Sequence, residues 1–420
     1  MRILFLTEIP DPGVGSSVRQ MYSLAKELRA QGHQTAVVST VRNAVDASPI
    51  EILGTPVFRI HSDYNVRWRG WVSLHNRAID APLQSILDEW QPDVVHAHLV
   101  HTHLGYHALT QARRAGARVI FTAHDVMTFC YQKLTCFHGG EQRQGQDFDV
   151  VARGSKCIPC QRFRFRPGRN RAIAKVLARD VHRFTVVSDA LGDIIRANGI
   201  QVHGTVHNAI ELRDRQSSEA IGAFRKRHGI EGRQVLAMGG RLHEQKGVVK
   251  LFEMMALLRD EFPGLALLVM GKAKLYEDEF RAKAEKHGVA DLVVPTGWLS
   301  GDELAQAYGA ADVFVTPSIC FDTFGLVNLE AMEQARPVVA TSFGGSSEVV
   351  EHGVTGWIAN PFDLAGYAAQ IGTLLRDPGL ARSMGEAGRA RLEALFTIPR
   401  LSKEFLRHYS AAPSAPPPSE

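Results

Sequence analysis

A chain of 420 residues, 45% apolar and 22% charged, has the composition of a folded globular protein and is too long for one ordinary hydrophobic core, so two domains are expected. Its net charge of +4 is too small an excess for the total to mark a nucleic-acid binder. No run reaches the roughly eighteen apolar residues of a membrane span, the apolar start at 1–7 is stopped by Glu8 and Pro10 before it resembles a signal peptide, and five cysteines do not make a secreted disulfide framework, so a cytoplasmic protein is expected.

The opening run leads through Pro12-Gly13-Val14-Gly15-Ser16-Ser17 into Val18, Met21, Leu24, Ala25 and Leu28 at helical spacing, which predicts strand, glycine loop, helix. Short β-branched runs at 35–40, 93–96, 118–122 and 183–187 alternate with helical stretches, the pattern of a parallel sheet covered on both faces. A second series starts at 234–238 and continues at 265–270, 292–295, 313–317, 337–341 and 356–359. The fold class is therefore α/β, two Rossmann-like doubly wound parallel-sheet domains facing a cleft. The spans expected are 1–205 for the N-terminal domain, with a cysteine-containing insertion around 130–160, and 206–390 for the C-terminal domain. A helix within 391–410 is expected to pack back on the N-terminal domain, and the Pro- and Ser-rich tail 411–420 to be disordered.

Arg241 and Lys246 follow the turn Gly239-Gly240 at the carboxyl end of a predicted strand, where open α/β sheets bind ligands. Alone, such a pair is ordinarily two solvated charges at a helix start. A second stretch, Asp322-Thr323-Phe324-Gly325-Leu326-Val327-Asn328-Leu329-Glu330, changes that reading, because Gly325 opens an apolar helix whose first-turn N–H groups can hold phosphate oxygens. Asp322 and Glu330 bracket this start eight residues apart, too far along a helix rising about 1.5 Å per residue to share one proton. They suit two ends of one extended ligand, a sugar at Asp322 and a ribose at Glu330, although either carboxylate by itself would be a cap or a surface charge. Cations for a diphosphate and carboxylates for hydroxyls are together what a nucleotide sugar requires.

In the first half, Gly13-Val14-Gly15 lacks the third glycine of G-x-G-x-x-G, which disfavours a dinucleotide fingerprint and suits close approach of a ligand to the backbone. His96 with His98, and His124 with Asp125, end predicted strands in polar pairs. A lone histidine such as His124 is more often structural than catalytic, and the H-x-H pair has no acidic or cysteine ligand at metal-binding spacing.

Taken in order, the loop at 13–15, the stretches 92–98, 121–125, 186–188 and 207–208, and the motifs 240–247, 322–330 and 344–356 make the chain resemble the family 4 glycosyltransferases, of GT-B architecture, over nearly its whole length. That resemblance implies transfer of a sugar from a nucleoside diphosphate sugar, with retention at the anomeric carbon and no metal cofactor in catalysis. It implies that Arg241 and Lys246 hold the diphosphate, helped by the amides of Gly325 and Leu326, with Phe324 also among the expected donor-binding residues. Glu330 would bind the ribose, Gly15 lie near the reaction centre, His124 stand beside the donor sugar, and Trp298 and Leu299 meet the nucleobase. The expected catalytic set is His124, Asp322, Arg241 and Lys246. Asp322 stands where the family usually has Glu, one methylene longer, and His207-Asn208-Ala209 replaces the commoner Pro-Asn-Gly. The implied acceptor is a glycan or a lipid-linked acceptor, in synthesis of a surface polysaccharide such as lipopolysaccharide. A nucleotide-sugar epimerase, a phosphorylase, or a catalytically impaired binding scaffold are the rival readings.

Two features stand outside that resemblance. Cys130 and Cys136, then Cys157 and Cys160, have spacings able to hold a structural Zn²⁺, the alternative being four reduced thiols. Immediately afterwards Arg162, Arg164, Arg166, Arg169, Arg171, Lys175, Arg179 and Arg183 cluster, interleaved with Phe163 and Phe165. Such a patch fits an anionic membrane surface on the inner face or the phosphates of a lipid-linked acceptor, and equally a solvated helix face; nucleic acid is the third reading and is not the expected partner.

Overall fold

The computed structural model describes residues 1–240 and 242–410; Arg241 and the expected tail at 411–420 lie outside the described residues. The chain divides into two compact units. The first holds Met1–Lys133, Val150–Ala209 and the described part of the segment from Ile398 onward, and the second holds Leu134–Asp149 and Ile210–Thr397.

The first unit is built on β1 (Arg2–Leu6), β2 (Gln34–Val41), β3 (Ile50–Ile52), β4 (Thr55–His61), β5 (Val94–Ala97), β6 (Arg118–Ala123), β7 (Arg183–Val186) and β8 (Gly204–Thr205), ordered β3-β4-β2-β1-β5-β6-β7-β8. Ile3 of β1 stands opposite Thr35 of β2 and Val94 of β5, in parallel register. Ile3, Leu4, Phe5 and Leu6 are all fully buried, as a parallel strand covered on both faces requires. Helix Ser16–Ala30 supplies one cover, burying Val18, Met21, Leu24, Ala25 and Leu28 along a single stripe. The antiparallel hairpin β3–β4 is not anticipated from the sequence. Its two-residue turn places Leu53 and Gly54 at positive φ (50° and 70°), and leucine carries none of the usual signal for that conformation.

The second sheet, β9 (Gln234–Gly239), β10 (Leu265–Met270), β11 (Val293–Gly297), β12 (Val313–Thr316), β13 (Val338–Thr341) and β14 (Gly356–Ala359), is ordered β11-β10-β9-β12-β13-β14 and parallel throughout. Leu236, Leu267, Val269, Val313 and Val315 pack in its core with Leu251, Phe252 and Met255 of helix Val248–Leu258. In each sheet the winding reverses beside the first strand of its series, between β1 and β5 and between β9 and β12. The crevice at the carboxyl ends of strands flanking such a reversal is where doubly wound folds bind ligands.

The expected domain limits need three corrections. The boundary falls between Ala209 and Ile210, and helix Pro378–Leu395 stays with the second unit. Only helix Ile398–Ser410 returns to the first, where Ile398, Leu401, Phe405 and Tyr409 join Ile3, Phe5, Val18 and Met21 in one core. Residues 134–149, read from sequence as part of the N-terminal domain, belong to the second unit. Phe137 meets Phe321 and Phe343 with ring centroids 5.9 and 5.3 Å apart, and His138 stacks on Phe343 at 5.7 Å. Lys250 Nζ donates to Glu141 Oε1 at 2.6 Å, and Asn360 Nδ2 donates to the Gln144 carbonyl at 2.8 Å. All these partners lie far downstream, so local composition carries no trace of the docking.

Candidate active site

In the second unit β9 ends at Gly239, Gly240 turns at φ +95°, and the short helical turn Glu244–Lys246 presents the Lys246 side chain. From the far side of the same reversal, the N–H groups of Ile319 and Cys320 donate to the Gln245 carbonyl at 3.0 and 3.1 Å. The two motifs are thus stitched together by backbone. Lys246 Nζ donates to Asp322 Oδ2 at 3.0 Å, and Ser318 Oγ donates to the same oxygen at 3.3 Å. The Asp322 backbone is clamped in turn: its N–H donates to the Phe343 carbonyl at 3.1 Å and its carbonyl accepts from Gly345 N–H at 2.8 Å. Between those two anchors Gly344 adopts φ +97°, and a Cβ there would lie 2.0 Å from the Asp322 carbonyl oxygen. Only glycine lets the two loops approach this closely.

Helix Leu326–Glu333 starts beside this corner. Gly325 precedes it in the left-handed region, at φ +86°, where a Cβ would fall 2.6 Å from Asn328 Nδ2. Asn328 fixes the first turn, accepting from Thr316 Oγ1 at 3.0 Å and donating to Ser346 Oγ at 3.5 Å. Glu330, one turn deeper and half-buried, accepts from the Tyr308 hydroxyl at 2.5 Å. Trp298 is exposed and Leu299 half-buried on the loop after β11. Phe324 differs from the expectation of a donor contact: its ring is buried 5.9 Å from Phe396, so only its backbone is left to face a ligand. Arg241, the other expected cation, lies outside the described residues.

In the first unit the carboxyl ends of β1, β5 and β6 gather Glu8, His98, His101, His124 and Asp125. The Glu8 carboxylate accepts from Thr102 N–H and, at 3.3 Å, from Leu104 N–H. Burial pushes its pKa up to about 7 against those two donors, with a small push in the same direction from Asp125. His98 Nδ1 and His124 Nε2 are 2.8 Å apart, so one ring must donate to the other. Burial pulls His124 down to about 4 and His98 well below the ordinary imidazole value, which keeps both neutral at pH 7. His101 spans the Tyr106 hydroxyl at 2.7 Å and Asp125 Oδ1 at 3.3 Å. His96 separates from this group: fully buried, it bonds the Tyr409 hydroxyl and Thr122 Oγ1 at 2.8 Å each, a core histidine that anchors the returning helix. Gly15 caps helix Ser16–Ala30, and a Cβ there would meet only Val18 Cγ2 at 3.7 Å. Packing within the chain therefore does not demand glycine at that position.

The structure adds Glu8, His101, Tyr308, Ser318 and Asn328 to the residues singled out from sequence. Asn328 lies inside a motif already recognised and Glu8 directly follows a strand at a reversal; Tyr308 and Ser318 carry no local signal at all. Among the described residues, groups of three or more His, Cys, Asp or Glu ligand atoms close enough to share an ion contain no cysteine. Cys136 and Cys160 are exposed, and Cys136 belongs to the second unit while the other three belong to the first.

Among known proteins, residues 15–208 match the family model described as a glycosyl transferase 4-like domain, and residues 221–391 match the one described as glycosyl transferases group 1. The chain is 26% identical over 430 residues to a glycogen synthase of Mycobacterium tuberculosis, covering 98% of this chain and 95% of that protein. It is similar in fold to HepE of Anabaena crystallised with UDP-glucose, at TM-score 0.73 and 19% identity, over 98% of this chain and 100% of the other. A further fold relative is WaaG, a glycosyltransferase involved in lipopolysaccharide biosynthesis, at TM-score 0.67 and 18% identity over 98% and 100% of the two chains.

Proposed function

Because the chain belongs to the glycosyltransferases that pair a 4-like domain with a group 1 domain, the family 4 type of GT-B architecture, we propose that it is a retaining hexosyltransferase using a nucleoside diphosphate sugar. Its acceptor is a glycan or lipid-linked glycan of a surface polysaccharide, assembled on the inner face of the membrane. The observation that carries this reading is the Lys246–Asp322 contact at the β9/β12 reversal, one short loop from a glycine-capped helix start. A cation, the N–H groups of a helix start and a carboxylate are there brought to one corner by two distant stretches of chain. The HepE complex with UDP-glucose supports the class of donor, and the role of WaaG in lipopolysaccharide synthesis supports the class of acceptor.

In the reaction the bond from the anomeric carbon to the diphosphate oxygen breaks and negative charge builds on the departing diphosphate. Lys246 and Arg241, with the N–H groups of Gly325 and Leu326, stabilise that charge without calling on a divalent ion. An acceptor hydroxyl attacks the same face of the sugar, and its proton passes to the leaving phosphate oxygen. Asp322 accepts from a sugar hydroxyl, while Glu330, oriented by Tyr308, accepts from the ribose. Trp298 offers an exposed indole face to the base. The neutral His124 hydrogen-bonds the sugar without adding charge.

A panel of nucleotide sugars tests the reading, with release of free nucleoside diphosphate measured by chromatography and the product's anomeric configuration by NMR. Lys246→Ala should cut turnover on the order of a hundredfold, as loss of one charge-stabilising donor does. Conversion of the donor to an epimer, product of inverted configuration, or normal turnover in the Lys246 variant would each defeat it.

A further inference from the structure

We propose that the first unit docks onto anionic phospholipid through a face made of residues 66–71 and 158–166. The surface polysaccharide reading gains a mode of membrane attachment from this, but the proposal rests on none of the donor chemistry, so the two can fail separately. Val66, Trp68, Trp71, Ile158 and Phe163 are all exposed, Trp68 by 51% and Phe163 by 71%. The two segments adjoin. The Arg166 guanidinium lies 4.9 Å over the Trp71 ring and its Nη1 donates to the Trp71 carbonyl at 3.1 Å. Tyr131 sits between them, its carbonyl accepting from Arg69 and its hydroxyl donating to the Arg166 carbonyl at 3.1 Å. Large rings clustered in water mark an interaction surface, and tryptophan beside arginine is the composition of the headgroup layer.

The charge on this face has one sign. Segments 66–71 and 158–166 together carry five arginines, Arg67, Arg69, Arg162, Arg164 and Arg166, and no carboxylate. Among the described residues Arg67, Arg162, Arg164 and Arg166 form no ion pair with a carboxylate. A merely solvated face would gather counter-charges, and a protein interface would deplete its charges. Nucleic acid would use the rings for stacking, but Arg166 already covers Trp71, and the aliphatic Val66 and Ile158 have nothing to stack on. A lipid surface takes both parts at once, phosphates for the arginines and the acyl boundary for the apolar side chains. No helix among the described residues is long and apolar enough to cross a membrane, so this attachment lies on the surface.

The test is co-sedimentation of the full chain with vesicles of phosphatidylcholine alone or mixed equally with phosphatidylglycerol, alongside tryptophan emission and binding to duplex DNA at the same ionic strength. Binding to the mixed vesicles, a blue shift in emission, and weak binding to the neutral vesicles are expected. With each cation near the surface contributing roughly fivefold, the triple variant R162Q/R164Q/R166Q should bind about a hundredfold more weakly. Trp68→Ser with Phe163→Ser should lose most of the blue shift while keeping the circular dichroism spectrum of the parent, because both side chains are exposed. The proposal is overturned if the mixed vesicles leave the protein in solution, if neither variant weakens sedimentation, if binding proceeds with no change in emission, or if duplex DNA is held more tightly than the vesicles.

Discussion

Replacing Asp322 with asparagine keeps the side chain's shape and an oxygen for Ser318, but removes the charge facing Lys246. At the 3.0 Å contact the gross attraction is on the order of 5 kcal/mol at an effective dielectric of about 20. Lys246 is 33% exposed, and water screening leaves a net worth of about 1–2 kcal/mol. On the proposed reading a donor diphosphate draws the same ammonium away from Asp322 and is itself repelled by that carboxylate. Deleting the carboxylate should therefore tighten binding of the bare nucleoside diphosphate by about 1.4 kcal/mol, or tenfold. The same change removes a charged acceptor from the sugar, so turnover should fall on the order of a hundredfold. Opposite signs in the two measurements are the signature: calorimetry with the nucleoside diphosphate gives one, and initial rates at saturating donor give the other. Asp322→Glu keeps the charge and should leave nucleoside diphosphate affinity near the parent value. Unchanged turnover together with unchanged or weaker nucleoside diphosphate binding in the asparagine variant would show that Asp322 neither competes for Lys246 nor reads the sugar.

Gly344→Ala sets a methyl group 2.0 Å from the Asp322 carbonyl at a φ of +97°, so the corner must open; stability should drop by roughly 3 kcal/mol and turnover with it, checked by urea melts and rates, and a variant of parental stability would contradict the packing described. Phe137→Ala removes a fully buried ring from the segment docked against Phe321 and Phe343, with an expected loss of about 3–5 kcal/mol in the second unit and a raised KM for donor; loss of stability without a change in KM would mean that the segment does not steady the Asp322 loop. Glu8 titrates near pH 7 folded and near 4.5 unfolded, so the native state binds the extra proton between those values and the parent protein gains stability as pH falls through that window. Glu8→Gln has no charge to bury, and its advantage over the parent should grow from nothing below pH 4.5 to at most about 3 kcal/mol above pH 7. Denaturation curves of the two proteins that run parallel from pH 5 to pH 8 would refute it.

The parts of the fold legible in the sequence are those set by short-range physics. Buried parallel strands need continuous apolar runs, and each strand expected from such a run is present, within one or two residues of its expected ends. The motif containing Lys246 and the one containing Asp322 could be found because their residue types are unusual together, but their distance apart could not. That they touch depends on β9 pairing with β12 across an intervening β10 and β11, a fact of topology. Tyr308 shows the limit most clearly. It lies on helix Gly301–Ala310 with nothing local to mark it, and only the folded sheet brings its hydroxyl to Glu330 and beneath Gly239. The docking of 134–149 was illegible for the same reason, since aromatic residues with no local pattern acquire meaning from Phe321 and Phe343.

The two winding reversals share a geometry and differ in charge, and the difference suits a division of labour. At the β9/β12 reversal a lysine and a glycine-led helix start favour an anion, which on the proposed reading is the leaving diphosphate. At the β1/β5 reversal the imidazoles of His98 and His124 are held neutral by burial, and Glu8 is poised near neutrality. A cationic cluster there would itself attract phosphate; neutral rings exchange hydrogen bonds with hydroxyl groups instead. On the proposed reading, burial that keeps the two imidazoles neutral contributes selectivity as well as a core. The cost of that burial falls at low pH on the histidines: their native pKa values lie below the unfolded 6.5, so the stability they allow at pH 7 is lost as pH falls from about 6.5 toward 4. Glu8 shifts in the opposite sense over the same interval and partly offsets the loss, which explains how one crevice can keep both kinds of group out of water.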